Sequence, residues 1–131
     1  GQVAFAGGRM DDTDRDLVHT ATREAHEEIG LEPDVVEILG QLPTHETVSN
    51  YAMTPIIGMI PDSVSFTAEP GEVAEVFSVP LSHVLNVNNF RVEGRHWRGT
   101  KRYYYTVPFG PYYIWGATAR MLRALAGRIS P

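Results

Sequence analysis

The sequence contains no cysteine. That excludes disulfides, thiolate metal sites and cysteine nucleophiles, and it fits a reducing compartment. Long apolar runs are missing too. The longest, from Met53 to Ile60, is broken by Pro55 and Gly58 and falls far short of a membrane span. Positive charge is scarce: 11 Lys and Arg stand against 16 Asp and Glu, for a formal net charge of -5. This argues against non-specific binding to nucleic acid. It also means that a phosphorylated substrate needs a local positive charge, which a metal ion held by carboxylates supplies. Repeats, low-complexity tracts and linkers are absent. What remains is 131 residues with 43% hydrophobic content, enough for one domain with a core that needs no staples. The expectation is a soluble, cytoplasmic protein with a small-molecule partner and neither a nucleic acid nor a membrane partner. The oligomeric state is not legible.

Local patterns predict the elements. Residues 2–6 form a short strand leading into a Gly7-Gly8 turn, followed by an acidic loop from Met10 to Asp14. A helix follows over Asp16 to Ile29, with Leu17, Val18, Ala21, Ala25 and Ile29 near helical spacing. Thr13 with Asp16 resembles a capping box, and Asp14 is an equally good cap. Gly30 sits where a left-handed C-cap belongs. Strands are expected over 35–42, 52–60 and 73–79, and a hairpin joins 90–93 to 102–107 around 94–100. A last helix covers 114–129, with Trp115, Met121, Leu122 and Leu125 facing inward. Strands mixed with two helices give an α/β (α+β) layered domain.

The first helix carries the chemistry. Glu24, Glu27 and Glu28 stand at i, i+3 and i+4, so their Cβ atoms share one face about 5–6 Å apart. Three clustered carboxylates repel one another unless a cation lies among them, and hard oxygen ligands suit Mg²⁺ or Mn²⁺. Arg23 can hold one carboxylate through a forked hydrogen bond. The Gly7-Gly8 turn can supply a backbone carbonyl. An acidic helix face in water is the ordinary alternative for E-x-x-E-E alone. The turn, the Arg-Glu pair and the glycine stop around it favour the metal site.

The stretch from Gly8 to Leu31 resembles the Nudix box, G-x5-E-x7-R-E-U-x-E-E-x-G-U, with U a bulky aliphatic residue. Arg23-Glu24, Glu27-Glu28, Gly30 and Leu31 match it. The Gly8 to Arg23 spacing is one residue longer, Asp14 replaces the early glutamate, and Ala25 stands at a U position. Gly1-Gln2-Val3-Ala4-Phe5-Ala6-Gly7-Gly8, Asp11, Asp14, Thr20-Ala21 and Arg23-Glu24-Ala25 look like the coenzyme A pyrophosphatase branch, which has the same longer spacing. Here Ala6 replaces that branch's proline and Thr22 its leucine. Tyr113 to Ala119 resembles the entry to its C-terminal helix.

The resemblance implies a mixed β-sheet sandwiched between helices. It implies hydrolysis of coenzyme A to 3′,5′-ADP and 4′-phosphopantetheine with Mg²⁺ or Mn²⁺. Strands that precede Gly1 in the branch are missing from this sequence, so a fragment of a longer gene product is expected. Glu24 and Glu28 are the main metal ligands by this resemblance and by their shared face. Glu27 is a further ligand or the partner of Arg23, and the Gly8 carbonyl is a weaker candidate ligand. Glu72 or Glu75 is the candidate general base. Hydrolysis of ADP-ribose is the nearest alternative, and a non-catalytic nucleotide-binding domain is the alternative of another class.

Other features have plainer expectations. His45-Glu46-Thr47 is expected in a solvated loop. Tyr51 can stack on adenine or cap the next strand. Arg91, Arg95, Arg98, Lys101 and Arg102 are expected at a charged hairpin tip in water rather than on an extra phosphate. The tyrosines of 103–105 and 112–113 belong to core and sheet surface. His19 and His26 are expected to be exposed rather than metal-bound.

Overall fold

The computed structural model describes residues 2–47 and 50–129. Two compact units divide the chain: Phe5–Phe77, and Gly1–Ala4 with Ser78–Pro131. The composition of elements is α+β, as the patterns require.

In the first unit the long helix α1 spans Leu17–Ile29. Asp16 caps its start, its carboxylate accepting from the His19 N–H at 2.8 Å. Asp14 is therefore not the cap, and the expected Thr13 box does not form. The stop at Gly30 is as expected. Its φ of 69° is left-handed, and its N–H donates to the His26 carbonyl at 3.0 Å. Thr67 lies against Gly30, 3.4 Å from where a Cβ would stand, so a side chain here meets both strain and a neighbour.

A 3-10 turn, Pro33–Val35, then leads into β1, Glu37–Gln41. The expected strand start at Val35 is lost because Pro33 opens that turn. β1 pairs antiparallel with β4, Ile56–Met59, with a register shift between Ile38 and Gly40. The single strand expected over 52–60 is two pieces, since Pro55 has no N–H to continue the ladder. Its first piece, β3 (Ala52–Met53), pairs with β2, His45–Glu46. His45 and Glu46 are thus on a strand, not in the expected loop, and part of the loop between β2 and β3 lies outside the described residues. An apolar cleft of about 280 Å³ separates α1 from the β1–β4 pair, lined by Ala21, Ala25, Ile29, Ile38, Ile56 and Gly58 among others.

The segment 73–79 is not a strand. The Val73 and Glu72 N–H groups turn back to the Glu69 carbonyl, at 3.0 and 3.2 Å. Alternating apolar residues do not make a strand without a ladder partner.

The second unit is built on one long hairpin. β5 (Arg91–Trp97) and β6 (Thr100–Thr106) pair in register around a two-residue turn at Arg98-Gly99. The hairpin is longer and its turn tighter than expected, because Gly94 continues the ladder opposite Tyr103. A short helix α2 (Leu81–Val84) and a 3-10 turn (Val87–Asn89) precede it. Helix α3, Gly116–Ile129, follows. Trp115 lies before α3 and bridges to Thr106 instead. Val107, Ile114 and Ala119 form the core, at 0%, 2% and 0% exposure. Val3 packs on it, and its carbonyl accepts from the Thr118 hydroxyl at 2.9 Å. The expected strand over 2–6 is absent; Val3 contributes contacts to α3 rather than a ladder. Among the described residues the strands form three separate antiparallel pairs.

Candidate functional site

The site residues expected from the sequence all fall in the first unit, and their arrangement begins with Asp14. Released from capping, this carboxylate is buried and takes the fork of Arg23, with Nε to Oδ1 at 2.9 Å and Nη2 to Oδ2 at 3.0 Å. The Thr20 hydroxyl and the Asp11 N–H also donate to it, both at 2.9 Å. The Arg23 hydrogen bonds hold Asp14 well below the usual carboxylate range and raise Arg23 in turn. Charge-assisted, bidentate bonds of this kind fix geometry as well as charge. The fork of Arg23 therefore serves the loop, not a helix glutamate as expected.

Its remaining nitrogen, Nη1, reaches Glu24 at 3.2 Å and Glu27 at 3.1 Å. Nη2 also donates to the Arg9 carbonyl at 3.1 Å. One guanidinium thus joins the acidic loop, the glycine segment and the acidic face of α1.

Gly7 and Gly8, which do not form the expected turn, meet that face directly. The Gly7 N–H donates to Glu28 Oε2 at 2.9 Å. A Cβ on Gly8 would lie 2.7 Å from the Glu24 Cδ and 3.2 Å from its Oε2. Any other residue at position 8 displaces the Glu24 carboxylate, which is the close approach that glycine permits.

Glu72 is brought in from the far side by the main chain. The Glu69 N–H donates to the Glu28 carbonyl and the Thr67 N–H to the Ile29 carbonyl, both at 2.9 Å. The turn after Glu69 carries Glu72 toward α1. Glu28 feels the result. Burial pushes its carboxyl up, the Gly7 hydrogen bond pulls it back, and the charges of Glu24, Glu72 and Glu27 raise it further.

This donor set is made of hard oxygens and is crowded with negative charge, which suits a divalent cation by chemistry. Among the described residues, no three carboxylate or imidazole side chains are gathered to hold an ion as they stand. Glu24 and Glu27 lean on Arg23 instead. His26 is exposed as expected, 3.5 Å from Glu32, whereas His19 is half-buried, accepting from the Arg15 N–H at 3.0 Å and lying 4.0 Å from Asp14 Oδ1. The basic cluster sits on the exposed β5–β6 hairpin of the other unit, as expected, with Arg98 and Arg102 over Trp97.

A model of the NUDIX domain matches residues 1–103. The chain is a member of the Nudix family. Its relatives include proteins named uncharacterized Nudix hydrolase NudL. The one from Enterobacter sp. (strain 638) is 41% identical over 129 residues, 98% of this chain and 67% of the relative. Those from Cronobacter sakazakii and Escherichia coli O7:K1 are 39% and 38% identical over the same shares. In this Nudix domain the residue that sequence reasoning underrated is Asp14. Its spacing to Thr20 and Arg23, with both on the inner side of α1, was the available signal. Arg9, which places its carbonyl on Arg23, carried no signal of its own. Among the described residues no helix is long and apolar enough to cross a membrane.

Proposed function

We propose that this Nudix hydrolase is a coenzyme A pyrophosphatase, with residues 1–131 acting as one domain. Nudix membership makes it a pyrophosphohydrolase of phosphorus-containing anhydrides, acting on a small molecule with the help of a divalent ion. The finer reading is cleavage of coenzyme A or an acyl derivative to 3′,5′-ADP and 4′-phosphopantetheine. Its support is the Gln2-Val3-Ala4-Phe5 start and the longer Gly8 to Arg23 spacing.

The observation that carries the chemistry is the approach of Gly7 and Gly8 to the acidic face of α1, with the Gly7 N–H on Glu28 Oε2 at 2.9 Å and the Glu24 carboxylate packed against Gly8. In this reading Glu24 and Glu28 hold Mg²⁺ or Mn²⁺, with Glu27 and the Gly8 carbonyl as further donors. When bound, the ion supplies charge neutralisation on the phosphate oxygens. Arg23 orients Glu24 and Glu27, and Asp14 fixes Arg23. Glu72 accepts the proton of the attacking water. Burial raises Glu28 first and the neighbouring carboxylates raise it further, and a cation among these groups would relieve both.

The test is turnover of a panel of pyrophosphates, including coenzyme A and ADP-ribose, with Mg²⁺ or Mn²⁺. Coenzyme A is the expected preferred substrate, and Glu28→Gln is expected to lower turnover by roughly 100- to 1000-fold with the fold intact. Retention of most activity in that variant overturns the ligand assignment. Preference for ADP-ribose overturns the substrate. Cleavage of no pyrophosphate by the native sequence favours a non-catalytic nucleotide-binding domain.

A further inference from the structure

Two arginines lie beside the Gly7-Gly8 segment, and they are used in opposite ways. Arg23 lies within 4.0 Å of the carboxylates of Asp11, Asp14, Glu24 and Glu27. Arg9, the residue next to Gly8, has no carboxylate partner among the described residues, although its main chain is tied to Arg23. Its guanidinium instead lies over the Tyr51 ring, 5.1 Å from the centroid, and its Nη2 donates to the Tyr51 hydroxyl at 3.2 Å. A cation whose main chain adjoins this many carboxylates is well placed to join one of them. Here Arg23 has taken them, and an aromatic side chain holds Arg9 apart.

We infer that Arg9 binds a phosphate group of the substrate, and that Tyr51 is the positioning residue that presents it. The inference rests on the pyrophosphate reading above and adds the binding side of the site. A site made of carboxylates attracts a metal but repels the phosphates that must reach it. One guanidinium kept out of ion pairs offsets that repulsion, and four of its five N–H donors remain for phosphate oxygens. Stacking on Tyr51 leaves the guanidinium edge open, which a lysine ammonium in the same place would not reproduce. Tyr51 is itself half exposed, at 51%, and its main chain is fixed at the base of the β2–β3 pair. Its N–H donates to the Thr47 hydroxyl at 3.2 Å, and its carbonyl accepts from the Thr47 N–H at 2.9 Å.

The experiment uses the whole chain with Mg²⁺ and reads two quantities for the native sequence, Arg9→Ala, Arg9→Lys, Tyr51→Phe and Tyr51→Ala. One is the affinity for 3′,5′-ADP by calorimetric titration; the other is kcat and KM on the preferred pyrophosphate. Arg9→Ala is expected to weaken binding, and to raise KM more than it lowers kcat, by about tenfold or more, the loss of hydrogen bonds to a charged group. Arg9→Lys falls between, Tyr51→Ala approaches Arg9→Ala, and Tyr51→Phe, which keeps the ring, stays nearer the native value. Turnover with an Arg9→Ala KM and affinity within twofold of native overturns the inference and leaves the proposed function standing. Arg9-dependent binding without turnover does the reverse. A native chain that neither binds nor cleaves overturns both.

Discussion

The two units are held together by different physics. In Ser78–Pro131, with the first residues of the chain, Val107, Ile114 and Ala119 are almost wholly enclosed and the hairpin strands run seven residues each. In Phe5–Phe77 the strands are two to five residues long, and the buried ones among the described residues are Asp14, Thr20 and Leu42. One unit closes on apolar contact, which is non-directional and proportional to area. The other closes on one guanidinium fork, which is directional and depends on charge. The unit with the candidate site is the one whose buried centre is ionic. Removing one partner of such a network leaves the other charge buried and uncompensated.

The largest expected effect that tests this contrast is in the apolar unit. Ile114→Ala leaves a cavity and is expected to cost about 2–5 kcal/mol in a urea unfolding titration. A loss below 1 kcal/mol would mean that the core relaxes around the gap. Next comes Asp14→Asn, which removes the charge on which Arg23 depends. Asp14 is held below its ordinary pKa of 3.8, so its contribution is fully present above that value and disappears as pH falls beneath it. Unfolding measured from pH 7 to pH 2 is expected to show a steeper acid loss for the native sequence than for Asp14→Asn, with the two curves converging at the acid end. Parallel curves would remove Asp14 from the ionic centre. The smallest effect is local: Asp16→Ala deletes the N-cap of α1 and is expected to cost about 1 kcal/mol. A similar loss in Asp14→Asn at pH 7, with no pH dependence, would make the two aspartates equivalent and erase the distinction drawn between them.

What could be read in the sequence follows the range of the forces involved. The boundaries of α1 were legible because a cap, a 3.6-residue period and a left-handed glycine act within a few residues. The acidic face with Glu24, Glu27 and Glu28 was legible for the same reason. The strands expected over 2–6 and 73–79 were not, because a strand exists only where a distant segment completes its ladder. Val3 found α3 instead, and Glu72 and Val73 folded back on Glu69. The caps read from the sequence, Thr13 in a box with Asp16 or else Asp14, both gave way to Asp16 itself, and that too turned on a distant group. Asp14 fits the role locally, but the nine-residue reach to Arg23 draws it inward. Arg9 was invisible because its meaning lies in what it avoids.

The end of α1 has a further consequence. The carbonyls of Glu28 and Ile29, left open where the helix stops, receive the N–H groups of Glu69 and Thr67. The segment bearing Glu72 is therefore hung on the helix by its backbone, like a rail on two pegs. Its side chains can drift without moving the rail, whereas an insertion or deletion between 67 and 72 shifts Glu72 by a whole residue. The length of this short stretch, more than its composition, sets where that carboxylate stands.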